Sequence, residues 1–317
     1  MITRAQRHIV LALPFMVMTL LGTGLFVSCS ANDGTDTPTP YTEKQEIGFK
    51  ADVRNMAEGT RATTIDNTYM AENGFICTAY NANSTVVNST ANINATTVTW
   101  NDSKWTFARG SRYWPLPSTP GDAYPSLDFF AYMPTTLPAY ISSWSYSATS
   151  SPSVTHNISF SANLSSGAST EYVFALTTGQ NKSNAEGGVI LNFLHPFARV
   201  KFATGTIPST VTINSVSLAG VKIDGNYSYD GSTSTWSGQS TSGSISGLDD
   251  WIIAVPYSNG SKILTVNCTW SDWSNVTKDL TASITANWAA GTSYTYTLNV
   301  SKDYALTVNT EKYTEQW

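Results

Sequence analysis

The stretch Tyr294–Val300, "YTYTLNV", alternates large apolar side chains with polar ones at every second position. The apolar set is Tyr294, Tyr296, Leu298 and Val300, and the polar set is Thr295, Thr297 and Asn299. Successive side chains of a β-strand project from opposite faces. The pattern therefore predicts an antiparallel strand with one face on a core and the other in water.

Other stretches extend this interpretation along the chain. Ile263–Trp270, Val211–Val221 and Arg199–Thr204 alternate in the same way, whereas Leu127–Met133, "LDFFAYM", is apolar on both faces. That last stretch is predicted to be a central strand covered on both sides. Sustained helical periodicity is missing from the sequence, apart from a candidate turn at His195–Ala198. Many short strands separated by Gly, Pro and Asn turns predict an all-β sandwich fold.

Composition limits the classes of function. The 317 residues are 41% hydrophobic and 12% aromatic, which is enough apolar material for a packed core. The net charge is −5, and the Lys and Arg residues form no basic stripe. Nucleic-acid binding is therefore not expected.

The N-terminus has the organisation of an export signal. Arg4 and Arg7 precede an apolar run, Ile9–Leu21, which is too short for a membrane span of about 20 residues. The junction Ser28–Cys29 resembles a bacterial lipobox, in which the Cys29 thiol is acylated and becomes the mature N-terminus. A plain secretory signal that contains a cysteine is the alternative. Residues 1–28 are predicted to be the signal, and residues 29–45 a flexible tether.

Residues that could carry chemistry are few. Cys77 and Cys268 lie in apolar strand-like contexts and are predicted to be buried free thiols. His195 precedes a proline in an apolar stretch and is predicted to be a packed structural histidine. The run Asp224–Gly231 lacks the ligand spacing of a calcium loop and fits a hairpin better. No catalytic residue, metal site or cofactor is predicted.

Several motifs, in a fixed order, resemble one family. They are the lipobox at Cys29, "EIGFKADV" at Glu46–Val53, "TRAT" at Thr60–Thr63, "LDFFAYMP" at Leu127–Pro134, "VILNFLHPFARVKF" at Val189–Phe202, "GTSYTYTLNV" at Gly291–Val300, and a short tail ending at Trp317. Together they resemble the fimbrillins of Bacteroidetes, lipoproteins that build surface pili. The resemblance implies two transthyretin-like β-sandwich domains in tandem, residues 46–195 and 196–317, without enzyme activity.

The resemblance also implies an assembly route. An outer-membrane lipoprotein precursor is cut after Arg61 by an arginine-specific surface protease, which makes Ala62 the new N-terminus. Residues 46–61 are thereby removed, and the vacated groove accepts a strand from another fimbrial subunit. The subunit then belongs to a cell-surface fimbrium whose receptor would be a glycan or a protein of a host or another bacterium.

The sequence around Arg61 is compatible with that route. Ile47, Phe49, Ala51 and Val53 alternate with polar or small residues, as in a strand that fills a groove from one face. Removal of such a strand leaves an open sheet edge and an apolar slot, the conditions for strand addition. Small flanking residues favour protease access to Arg61. The alternative is that Arg61 is an ordinary charged loop residue.

The tail offers a candidate donor strand. Tyr304, Leu306 and Val308 alternate with Ala305, Thr307 and Asn309, the spacing that fills successive pockets of a groove. The alternative is that the tail is the last strand of its own sandwich. The two alternatives are left open, as is the choice between shaft, tip and anchor subunit.

Tryptophans suggest a rival function. Eight of the ten are Trp100, Trp105, Trp114, Trp144, Trp236, Trp270, Trp273 and Trp288. Exposed tryptophans could stack on sugar rings, which would indicate a glycan-binding surface lipoprotein that does not polymerise. Most tryptophans of a β-sandwich nevertheless serve the core.

Overall fold

Strands make up almost all regular structure in the computed structural model, which describes residues 44–53, 65–82, 91–149, 155–165, 168, 170–272 and 275–314. The elements are β1 (Phe49–Val53), α1 (Asn67–Asn73), β2 (Phe75–Asn81), β3 (Ile93–Asn101), β4 (Lys104–Phe107), β5 (Leu127–Met133), β6 (Ile141–Thr149), β7 (Thr155–Asn163), β8 (Val173–Gln180), β9 (Val189–Phe193), β10 (Ala198–Thr204), β11 (Val211–Lys222), β12 (Asp224–Tyr229), β13 (Ser234–Ser237), β14 (Ser242–Ser246), β15 (Trp251–Ala254), β16 (Ser258–Trp270), β17 (Val276–Asn287), β18 (Thr292–Val300) and β19 (Leu306–Thr314). The predicted all-β fold class is confirmed.

The opening stretch forms β18, a central strand of the four-stranded sheet β15-β10-β18-β19. Tyr294, Tyr296, Leu298 and Val300 are buried, as the alternation predicted. The intervening residues Thr295, Thr297 and Asn299 are half-buried rather than fully in water. β18 pairs parallel with β10 and antiparallel with β19, so only the β19 side matches the predicted antiparallel pairing.

A seven-stranded sheet of order β8-β5-β2-β3-β4-β1-β9 contains the strands nearest the N-terminus. Its β1–β9 pair is parallel, and its other pairs are antiparallel. Within it β5 lies between β8 and β2, and all but one of its residues are buried. Phe129 belongs to one core and the adjacent Phe130 to a second core. The predicted central, doubly covered strand at Leu127–Met133 is confirmed.

The two other sheets have the orders β14-β11-β16-β17 and β13-β12-β7-β6. The second of these sheets pairs strands from either side of the predicted boundary at residues 195 and 196, with Tyr227 of β12 opposite Phe160 of β7. The core that contains these two rings also extends across the boundary, and the described residues belong to one compact unit. The division into residues 46–195 and 196–317 stays a prediction.

The helix α1 was not predicted from the sequence. Asp66 caps its first turn, since its carboxylate accepts a hydrogen bond from the Tyr69 N–H at 2.8 Å. Gly74 ends the helix with φ of 70°, and a side chain there would collide with the Val98 carbonyl. Met70 is the buried residue of the helix. A seven-residue helix with one buried side chain is too short to produce a recognisable apolar period.

The two cysteines and the run Asp224–Gly231 lie within the described strands and their turns. Cys77 and Cys268 are free and buried, as predicted. β12 pairs with β13, so Asp224–Gly231 does contribute to a hairpin. Burial alone would raise the pKa of the Asp224 carboxyl, but the hydrogen bonds that it accepts from Ser240 and Thr241 lower that pKa below its ordinary value.

Candidate assembly site

The first strand, β1, belongs to the seven-stranded sheet and buries the side chains of one of its faces. Ile47 and Val53 are each 1% exposed, Phe49 is 6% exposed and Ala51 is half-buried. Lys50, between them, is exposed to solvent. The alternation read from the sequence is therefore present, with its largest side chain in the first position of the strand.

Phe49 is the anchor of the strand. Its ring makes edge-to-face contacts with Phe75, Phe107 and Phe129, at centroid distances of 5.8, 5.3 and 5.9 Å. Such aromatic pairs add roughly 0.5–1.5 kcal/mol each beyond the burial of their area. The strand is therefore held most firmly at its phenylalanine.

The two neighbours of β1 hold it unequally. β9 pairs with it over its whole length, from Phe49 opposite Val189 to Val53 opposite Phe193. β4 pairs with it at one position, Phe49 opposite Trp105. A cavity of about 220 Å³ lies along the β4 side. β1 is therefore closely paired on one edge and loosely paired on the other.

Hydrogen bonds fix both ends of β1. At the start, the Ile47 N–H donates to the Arg112 carbonyl at 2.7 Å. At the end, the Val53 N–H donates to Asn67 Oδ1 at 2.8 Å, and Asn67 Nδ2 donates to Asp52 Oδ1 at 2.7 Å. These bonds tie the end of β1 to the first residue of α1, which comes after residues 54–64 in the sequence.

The predicted modification sites lie outside the described residues. This applies to the lipidation site Cys29 and to the processing site Arg61 and Ala62. The chain is described again from Ile65, which is 1% exposed. The Ile65 N–H donates to Glu171 Oε2 at 3.4 Å. The segment that contains Arg61 is thus bounded by two buried residues, Val53 and Ile65.

Glu171 belongs to a buried ionic cluster that sequence reasoning missed. His195 Nδ1 lies 2.7 Å from Glu171 Oε1, and Arg199 stacks on Trp251 with 4.6 Å from its guanidinium to the ring centroid. Glu171, His195 and Arg199 are each no more than 3% exposed. His195 is therefore the packed structural residue that the sequence predicted, and its partner is a carboxylate.

Electrostatics of the cluster favour the charged form of Glu171. Burial alone would raise the pKa of the Glu171 carboxyl, but His195 and Arg199 lower it below its ordinary value of 4.5. Burial lowers the pKa of the Arg199 guanidinium, and Glu171 opposes that shift. Through the hydrogen bond from the Ile65 N–H to Glu171, the cluster holds the segment that follows the predicted cleavage site.

The C-terminal strand, β19, is the edge strand of its sheet and pairs antiparallel with β18 from Thr292 opposite Thr314 to Val300 opposite Leu306. Tyr304, Leu306 and Val308 pack partly against the core, whereas residues 309–314 are exposed. This is the arrangement of the alternative, a last strand of its own sheet. The donor role of Tyr304, Leu306 and Val308 stays a prediction.

Tyr304 fastens the start of the C-terminal strand. Its ring meets Trp270 at 4.6 Å between centroids, and Lys278 Nζ lies 3.7 Å from the ring centroid. Its φ is 61°, a left-handed conformation that a tyrosine rarely adopts without such contacts. The tail is thus fixed at its root and exposed over its outer half.

With this geometry established, comparisons with known proteins identify the family. The model of the fimbrillin-like family matches residues 60–317. The chain belongs to the fimbrillin-like family. The match begins after β1 and just before Arg61. Family membership indicates a fimbrial or adhesive role at the cell surface.

One solved structure supports the fold, and a second is less similar. A fimbrial protein from Bacteroides vulgatus is 15% identical, with a TM-score of 0.53, and the alignment covers 86% of this chain and 100% of that one. A candidate cell adhesion protein from Bacteroides ovatus is 14% identical, with a TM-score of 0.45, and the alignment covers 87% and 98% of the two chains. Among curated protein sequences, no match to this chain is found.

The tryptophans of this fimbrillin do not form an exposed platform in the described residues. Trp105, Trp114, Trp270 and Trp288 are buried, and Trp144 and Trp236 are half-buried. Trp100 is 43% exposed, and Trp273 lies outside the described residues. The argument for glycan binding from tryptophan content therefore loses its structural basis.

Two further features are absent from the described part of the fimbrillin. Those residues contain no group of three or more His, Cys, Asp or Glu side chains suited to hold a metal ion. Within the same residues, no helix has the length and apolar character needed to cross a bilayer.

Proposed function

We propose that this fimbrillin is a non-enzymatic structural subunit of cell-surface fimbriae that supports adhesion. It is exported as an outer-membrane lipoprotein with lipid on Cys29. An arginine-specific surface protease then cuts after Arg61, and processed subunits join by strand exchange. Family membership and the fimbrial structure of similar fold support the role of fimbrial subunit.

The observation that carries the proposal is the position of β1 in the sheet. The strand lies inside the seven-stranded sheet, between β4 and β9, and not at its edge. Its release would expose the edge of β9 that it now pairs with, from Val189 to Phe193. The backbone groups of that edge would then be open to a new strand.

Release of β1 would also empty an apolar site. Phe49 now fills this site among Phe75, Phe107 and Phe129. An open edge beside an apolar slot is the acceptor that strand addition requires. A donor strand that buries two or three apolar side chains there would gain roughly 1.5–3 kcal/mol for each of them.

N-terminal sequencing of protein taken from surface fimbriae tests the proposal. The expected sequence begins at Ala62, because β1 and residues 54–61 have been removed from the assembled subunit. Assembled subunits that still begin at Cys29 would contradict the proposal.

Lipidation of the precursor gives a separate prediction. A Cys29→Ala precursor should incorporate no labelled palmitate and should leave the membrane fraction, because each buried acyl CH₂ contributes about 0.8 kcal/mol to membrane affinity. Palmitate labelling followed by fractionation measures both effects. Cys77→Ala is the matched control, since Cys77 is free and buried and should not affect labelling. Unchanged labelling of the Cys29→Ala precursor would refute the prediction.

The donor strand is tested by shortening the tail. A processed chain that ends at Asp303 should fold and bind one full-length subunit, but it should not extend a polymer. The deletion removes the exposed residues 309–314, but it also removes Tyr304, Leu306 and Val308, which pack partly against the core. Size-exclusion chromatography and electron microscopy measure the assemblies, and a chain that ends at Thr314 is the control. Loss of cooperative unfolding in the chain that ends at Asp303 would show that β19 belongs to its own core.

A further inference from the structure

A cleft of about 470 Å³ lies far along the chain from β1, in the part that carries β12, β13 and the end of β19. Its lining includes Tyr227, Tyr229, Ser232, Ser234, Gly291 and Thr314. The volume is within the range of roughly 300–1,000 Å³ that small-molecule sites occupy. Apart from Thr314, the last residue of the candidate donor strand β19, the lining has no part in the fimbrial role proposed above.

The charge of the lining restricts the class of ligand. Among the described lining residues there is no Lys, Arg, Asp or Glu side chain. His195 is also in the lining, but its Nδ1 is engaged by the Glu171 carboxylate at 2.7 Å. A charged ligand would find no counter-charge on the wall, so the lining suits a neutral molecule.

Hydrogen bonds within the wall define what the ligand must offer. Tyr229 Oη donates to the Gly231 carbonyl at 2.9 Å, and Ser232 Oγ donates to Asp230 Oδ1 at 3.0 Å. These hydroxyl protons are used within the protein, which leaves the oxygen lone pairs as acceptors. A ligand with several hydroxyl donors complements such a wall.

The wall is held in place before any ligand arrives. The turn between β12 and β13 is closed by Asp230, whose carboxylate accepts from the Ser232 and Thr233 N–H groups at 2.9 and 2.6 Å. The Tyr229 ring packs edge-to-face on Phe174 at 5.5 Å between centroids. A preformed site avoids the entropy cost of ordering its walls on binding.

We infer that this cleft is a binding site for a neutral sugar of one or two hexose units. The hydroxyl groups of a pyranose donate to the oxygen atoms of the wall, and its apolar ring face packs on a tyrosine ring. The inference goes beyond fimbrial assembly, because the cleft is present in the single subunit and needs no strand exchange.

The test is a titration of the purified full-length subunit with D-glucose, D-galactose, D-mannose and N-acetyl-D-glucosamine as separate probes. Saturation-transfer NMR detects contact, and calorimetry gives Kd. At least one sugar should bind with a Kd in the millimolar range or tighter. If none of the four binds in that range, the inference is wrong.

Variants assign any binding to the cleft. Ser234→Trp fills the space from the exposed start of β13 and should weaken binding at least about tenfold. Ser237→Trp, at the other end of the same strand and outside the lining, is the matched control and should bind as the unchanged chain does. Ser232→Trp blocks the cleft from the adjacent turn and should reproduce the loss if Ser234→Trp folds poorly. Equal binding by Ser232→Trp and Ser237→Trp would overturn the assignment.

A chain that ends at Thr314 completes the test, because Thr314 lines the cleft. Equal affinity of the full-length and shortened chains supports a sugar site. Binding by the shortened chain alone would show that the cleft is not available to sugar in the whole subunit and would overturn the inference.

Discussion

Replacing Arg61 with alanine should leave the subunit full-length, membrane-bound and monomeric. With β1 still attached, the slot between β4 and β9 is already filled, and Phe49 occupies its aromatic pocket. A tethered strand competes at an effective concentration in the millimolar range, far above that of any neighbouring subunit. Fimbriae should therefore be absent from cells that produce only the Arg61→Ala subunit, as counted by electron microscopy.

The sequence supplies a matched control for this experiment. Arg54 follows Val53 directly, and a cut after Arg54 would also free β1. Arg54→Ala should be processed and assembled normally, whereas Arg61→Ala should not. Fimbriae built from Arg61→Ala subunits would refute cleavage at Arg61, and an N-terminus at Asn55 would assign the cut to Arg54.

Replacing Glu171 with glutamine should lower the free energy of unfolding by about 3–5 kcal/mol, the typical cost of removing one partner from a buried ion pair. The amide keeps the shape of the side chain but removes the negative charge that faces His195 and Arg199. Urea denaturation measures the change. Glu311→Gln, at an exposed position of β19, is the control and should change stability by less than about 0.5 kcal/mol.

The effect of Glu171→Gln should depend on pH in one direction. The pKa of the Glu171 carboxyl is lower in the folded chain than its ordinary value of 4.5. Its contribution is therefore complete above that value and is lost as the pH falls through the lower, folded pKa. The difference between the two proteins should be largest near neutral pH and should narrow in acid. A difference below about 1 kcal/mol at pH 7 would show that the cluster contributes little.

Local patterns in the sequence predicted the parts of the fold that depend on neighbouring residues. The alternation at Tyr294–Val300 and at Ile47–Val53 reports which face of a strand is buried, and each strand shows it. The double burial of Leu127–Met133 was readable for the same reason. These predictions succeed because a strand's two faces follow directly from the side-chain period.

Features that depend on distant residues were not readable. Nothing near Glu171 indicates that its carboxylate meets His195 and the Ile65 N–H, which is 106 residues away. The pairing of β12 with β7 likewise depends on packing between Tyr227 and Phe160. The parallel pairing of β9 with β1 and of β10 with β18 could not be predicted from alternation, because side chains alternate with the same period in parallel and antiparallel strands.

The sheet β13-β12-β7-β6 has a mechanical consequence. In a fibre under tension, the hydrogen bonds between β7 and β12, from Asp224 opposite Asn163 to Tyr229 opposite Ile158, would share the load between the parts of the chain before and after residue 195. These two parts of the chain are therefore joined by hydrogen bonds between strands in addition to the covalent chain. Such a subunit should resist stretching as one body and transmit the pull to the next subunit, as a rigid link does in a chain.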